Sequence, residues 1–89
     1  MRSIVTVTGA DRKGIIADVC RLLADNGINI LDISQTVMQG FFTMIMLIDT
    51  EDCALTFVEL SEALSNKGHE MGLEIRIQRE DIFNAMHKI

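Results

Sequence analysis

Residues 28–50 read Ile28-Asn29-Ile30-Leu31-Asp32-Ile33-Ser34-Gln35-Thr36-Val37-Met38-Gln39-Gly40-Phe41-Phe42-Thr43-Met44-Ile45-Met46-Leu47-Ile48-Asp49-Thr50. Two apolar, β-branched runs flank Gly40, which predicts a hairpin: one strand over 28–39, a tight turn, and a second strand over 41–50. The first strand changes phase. Ile28 and Ile30 alternate on one face, then Leu31, Ile33 and Val37 on the other, so a β-bulge near Ile30 is expected. The second strand is apolar on both faces, with Phe41, Ile45 and Leu47 on one and Phe42, Met44, Met46 and Ile48 on the other. Such a strand is buried on both sides. Helices of the same chain can cover one face; the other needs a partner or the chain's own tail.

Working outward from the hairpin, each flank supplies one strand and one helix. Ile4-Val5-Thr6-Val7-Thr8 is a short β-branched strand, and Gly9 to Lys13 is a polar loop. Ile15, Ile16, Val19, Leu22 and Leu23 then recur at helical spacing, which predicts a helix over 13–26 stopped by Gly27. On the other flank, Thr50, Asp52 and the neighbouring acids suit a helix start through capping and the helix dipole. Leu55, Phe57, Val58, Leu60, Leu64 and Met71 mark that helix's apolar face. Gly68 weakens it near its end and Gly72 stops it. Leu73, Ile75 and Ile77 alternate with Glu74, Arg76 and Gln78 as a half-buried strand. Ile82, Phe83, Met86 and Ile89 share one helical stripe, so residues 80–89 read as an amphipathic tail helix packing on the domain or its dimer partner.

The order β-α-β-β-α-β is the split pattern of an α+β, ferredoxin-like sandwich. It predicts an antiparallel four-stranded sheet with two helices on one face, plus the C-terminal amphipathic helix. The chain's 89 residues suit one domain, assigned to residues 1–79 with the tail following. A mean hydropathy of +0.26 is high for so small a soluble monomer, which points to apolar surface shared with another chain.

Charge excludes some functions. The net charge is −5, which argues against a general nucleic-acid binder. All of that excess lies after Ile48, while residues 1–48 are balanced and would repel an anionic or zwitterionic ligand least. Cys20 and Cys53 are too few for a disulfide scaffold and lack metal-ligand spacing, which fits a reduced, cytoplasmic setting. No secretory h-region is visible at the N-terminus. The longest apolar run, Phe41 to Ile48, is too short to span a bilayer. No cofactor, membrane or nucleic-acid partner is expected.

The fold hosts unrelated functions, so the site must decide. A soft-metal carrier needs thiolates in the loop after the first strand, and Gly9-Ala10-Asp11-Arg12-Lys13 has none. An RNA-recognition module needs exposed aromatics beside a basic patch, and Phe41 and Phe42 have no such patch. An acylphosphatase-like enzyme needs an Arg in a phosphate cradle, and Gly9 and Gly14 around Arg12 give only a weak one.

The stretch Asp11-Arg12-Lys13-Gly14-Ile15, the helix after it, and Asn26-Gly27-Ile28-Asn29-Ile30 together resemble the ACT domain, a small ligand-binding regulatory module. The resemblance runs from Ile4 to Ile77. With the tail Glu80-Asp81-Ile82-Phe83-Asn84-Ala85-Met86-His87-Lys88-Ile89, the chain is most similar to the short stand-alone ACT proteins of prokaryotes. Its first half also resembles the ACT repeats of glycine-cleavage-type transcriptional repressors. The resemblance implies a homodimer with an amino acid bound between subunits, contacted by Asp11, Arg12, Gly14 and Ile15 and by Asn29 at the start of the second strand. General chemistry agrees: N–H groups at a helix start favour a carboxylate, and Asp11 suits an α-ammonium. Lys13 stands where the family often has Pro, and the His that some members carry near Gly9 is missing.

The same residues admit plainer roles. Asp11 can cap the first helix, Gly14 can serve packing, and Asn29 can bond the following loop. Cys20 and the methionines suit apolar filling, and His69 and His87 suit exposed helix surface. The expected function is a non-enzymatic, homodimeric regulatory module that binds an amino acid or similar small metabolite. The alternative is a ligand-independent docking module for an unidentified protein partner. No catalytic or metal-binding residues are expected.

Overall fold

The computed structural model describes residues 2–81, and all but the first two residues of the tail helix expected over 80–89 lie outside them. The elements are β1 (Arg2–Ala10), α1 (Ile15–Asp25), β2 (Asn29–Met38), β3 (Phe41–Asp49), α2 (Phe57–Met71) and β4 (Leu73–Arg79). The four strands form one sheet in the order β2-β3-β1-β4, and every neighbouring pair is antiparallel. This is the ferredoxin-like arrangement.

The helix-facing side of the sheet carries the core. Val5, Val7, Met44, Met46, Ile48, Ile75 and Ile77 pack there with Ile15, Val19 and Leu23 of α1 and Leu60 and Leu64 of α2. Of the two apolar faces of β3, Phe42, Met44, Met46 and Ile48 go to the helices and are buried. The other face is opposite, with Phe41 58% and Ile45 41% exposed.

The hairpin closes through Gln39 and Gly40, with Met38 paired to Phe41. Both loop residues have positive φ (51° and 79°), the backbone of a turn that follows the strands' own twist. The expected bulge is present. Ile30 pairs with Ile48 but Asp32 pairs with Leu47, leaving Leu31 as the extra residue. That shift brings Ile30 and Ile33 to the same face despite their odd spacing.

The second helix starts later than its acids suggest. Residues 51–52 form a turn in which the Glu51 N–H donates to Asp49 Oδ1 at 2.9 Å, a favoured local bond for an Asp before a turn. The helix is opened instead by a capping box. The Glu59 N–H donates to the Thr56 hydroxyl, and the Thr56 N–H donates to the Glu59 carboxylate. Val58, expected on the apolar face, is 65% exposed. Gly68 is buried where α2 meets β4; a Cβ there would lie 2.8 Å from the Leu73 carbonyl oxygen. The missing side chain thus permits close packing at that crossing, and Gly72 ends the helix at φ 70°.

Candidate functional site

The site is built by the end of β1 and the start of α1. Ala10 pairs with Phe41, so the chain leaves β1 beside the hairpin turn. The Asp11 N–H donates to the Gly40 carbonyl at 2.8 Å, which ties the loop to that turn. Gly14 then opens α1 with φ 87°, a left-handed conformation that β-branched residues rarely adopt. No side chain caps this helix. The capping role open to Asp11 is therefore not realised.

Between the helix start and the hairpin lies a cavity of about 460 Å³, within the range of small-ligand sites. Its polar lining comes from Asp11, Arg12, Gly14 and Gln35, and its apolar lining from Ile15, Ile16, Ala17, Val37 and Phe42. The first three N–H groups of a helix have no intrahelical partner, and Ile15, Ile16 and Ala17, which carry them here, all border this space. The Arg12 guanidinium donates to the Lys13 carbonyl at 3.4 Å and stands 4.0 Å from the Asp18 carboxylate. Both side chains are partly exposed, so the ion pair is a weak tether. The corner thus offers a carboxylate, a loosely held guanidinium and the positive end of a helix dipole, which suits a zwitterion.

Four of the five expected site residues, Asp11, Arg12, Gly14 and Ile15, border this cavity. Ile15 does so while 2% exposed and part of the core. Asn29 is placed elsewhere, exposed and opposite Asp49 at the far end of β2. It stands eight residues before Val37, about 26 Å along a strand. Gln35, Val37, Phe42, Ile16 and Ala17 were not anticipated. Hairpin register was the signal that could have found the three hairpin residues among them, because pairing Met38 with Phe41 carries Val37 and Phe42 to the loop after β1.

Other reactive groups lie apart. Cys20 and Cys53 are free thiols, and burial pushes the Cys20 pKa up, away from a reactive thiolate. Among the described residues no group of three or more His, Cys, Asp or Glu could hold a metal ion, and no helix is long and apolar enough to cross a membrane.

An antiparallel four-stranded sheet, two helices on one face and a ligand-sized cavity at an uncapped helix start define a small α+β module with a candidate ligand site. The chain belongs to the ACT-domain family, which matches it over residues 2–78. Members of that family are regulatory modules that bind small molecules. Among its relatives are stand-alone UPF0237 proteins that it matches over nearly their whole length. The UPF0237 protein of Listeria innocua is 49% identical over 89 residues, covering 100% of both chains. An ACT domain protein from Streptococcus pneumoniae superposes with a TM-score of 0.84 at 38% identity, covering 98% of each chain. A structure assigned as a glycine cleavage system transcriptional repressor gives a TM-score of 0.74 at 27% identity, over 86% of this chain and 44% of that one.

Proposed function

We propose that the protein is a non-enzymatic, homodimeric regulatory module that binds an amino acid or a similar small metabolite in the cavity beside Asp11. The observation that carries this reading is the cavity itself, set between the uncapped start of α1 and the hairpin end of β2. The ligand carboxylate takes the free N–H groups of the first turn and the Arg12 guanidinium. Its ammonium group takes Asp11, and an apolar side chain fits against Ile16, Val37 and Phe42.

Two copies join along β2. That strand is one of the sheet's two edges, and it holds Leu31, Ile33, Val37 and Met38 at 44%, 39%, 53% and 68% exposure. A long apolar edge invites another strand. In an antiparallel β2–β2 seam, the Asn29 end of one copy lies beside the hairpin end of the other. The partner's Asn29 then reaches the cavity that this chain's own Asn29 does not. The free thiols of Cys20 and Cys53 suit a reduced, cytoplasmic setting.

Thermal shift across the amino acids is the test. At 100 times its Kd a true ligand stabilises the fold by about 2.7 kcal/mol, and Asp11→Ala and Asn29→Ala each cut that shift without lowering helical content. Mixing the two variants restores binding at one of the two sites in each mixed dimer, because only a shared site can be rebuilt from two different chains. An intact dimer stabilised by no amino acid refutes the amino-acid reading and favours the docking module.

A further inference from the structure

The sheet has a second edge. Among the described residues β4 has β1 on one side and no strand on the other. It is the more regular of the two edges. Its seven pairs with β1 run from Leu73 to Arg79 without a shift, whereas β2 carries a bulge. Bulges and prolines blunt an edge against further pairing, and β4 has neither. Leu73, Ile75 and Ile77 turn to the helices and are buried, while Glu74 and Arg76 lie exposed on the open side. Arg76 Nε donates to Glu74 Oε1 at 2.8 Å. With these side chains 75% and 59% exposed, the pair is weak and free to change partners. Helix α2 borders the same edge. Its residues Val58, Glu62, Ser65 and His69 form one exposed stripe, at positions i, i+4, i+7 and i+11. Ser65 and His69 enclose a hollow of about 340 Å³ with residues 73–76 of β4.

We propose that this edge takes a second copy of the chain, with the two β4 strands antiparallel about a two-fold axis at Ile75. Charge selects both the occupant and the register. Centred on Ile75, Glu74 of each copy stands opposite Arg76 of the other, and Leu73 stands opposite Ile77. Opposite charges directly across a ladder stabilise it, and like charges weaken it. Moving the axis by one residue sets Arg76 against Arg76 or Glu74 against Glu74. The edge is thus self-complementary in one register, as an isologous interface requires. The helices agree. Ser65 and His69 stand level with residues 73–76, so the two α2 stripes meet antiparallel near Ser65 and bring Glu62 of one copy toward His69 of the other. This seam lies at the opposite edge from β2. It therefore adds copies to a dimer joined along β2 and does not compete with it.

Sedimentation velocity of the full-length protein over a concentration series tests this, with Glu74→Arg, Arg76→Glu and a chain carrying both changes. Each single variant sets like charges across the seam. At the highest concentration the parent's average mass is expected to exceed that of either single variant about twofold or more, since joining two equal units doubles the mass. An equal mixture of the two single variants should recover the parental value, and so should the double variant. The mixture is decisive because each single variant has lost its internal ion pair, so only pairing between chains restores the association. None of these changes touches β2, so association through that edge persists in every sample. A parent no heavier than the single variants would overturn the proposal, as would a mixture that stays at their mass.

Discussion

The two helices are entered in opposite ways. The loop into α2 is held by side chains: Asp49 accepts from Glu51, and Thr56 and Glu59 close a reciprocal capping box. The loop into α1 is held by its backbone, through the Asp11 N–H on Gly40, and ends in a left-handed glycine with no side-chain cap. A side-chain cap is worth about 1 kcal/mol. The chain takes that stabilisation at α2 and forgoes it at α1, where the bare helix start borders the cavity. On the proposed function, the difference separates an element built for stability from one left available to a ligand.

The contrast is broken most severely at Gly14. A Cβ there would meet only Asp18 Oδ2, at 3.9 Å, so the obstacle is backbone conformation rather than space. Gly14→Val is expected to cost about 2 kcal/mol, or roughly 10 °C in Tm, and to abolish the ligand-induced shift. A variant of unchanged Tm would mean that the left-handed opening of α1 is dispensable. Removing the cap on the other side has a smaller and different effect. Thr56→Ala should lower Tm by roughly 5 °C while the shift produced by any ligand stays as in the parent. Loss of that shift would show that the two helix starts are not independent.

The smallest effect concerns acid. The Asp49 carboxyl is held below its ordinary pKa, first by the Glu51 N–H and with a further contribution from the Arg2 charge. A depressed folded pKa contributes stability above the unfolded value of about 4, which is lost as pH falls through the folded value. The stability gap between the parent and Asp49→Asn should therefore narrow as pH is lowered from 6 through 4 and below. Urea midpoints measured across that range check this, and a constant gap would remove Asp49 from the account.

Much of the fold was legible because its signals are local. Strand β3 with two apolar faces, the phase break before Ile33, and glycines closing each helix all report directly on backbone geometry. The start of α2 was misplaced because Thr50 and Asp52 have the composition of a cap, while the reciprocal Thr56–Glu59 spacing that decides the matter lies a few residues on. The site was half legible. The loop from Asp11 to Gly14 is a contiguous motif, but the opposite wall of Gln35, Val37 and Phe42 exists only once hairpin register is known. Nothing in the spacing of Asn29 from that loop reveals which end of the strand it occupies relative to the cavity.

The extra residue in β2 has a consequence best put as parity. From Asp32 to Met38 each side chain's facing is counted back from the hairpin, and at Ile30 it is counted forward from α1. The two counts differ by one, and Leu31 absorbs the difference. Leu31 is thus the strand's spare position: deleting it would leave a regular ladder with Ile30, Ile33, Gln35 and Val37 still facing as they do. Deleting Ser34 instead would turn Ile33 to the opposite side. Variation in the length of this strand is therefore expected to be accepted at one point and resisted on the cavity side of it.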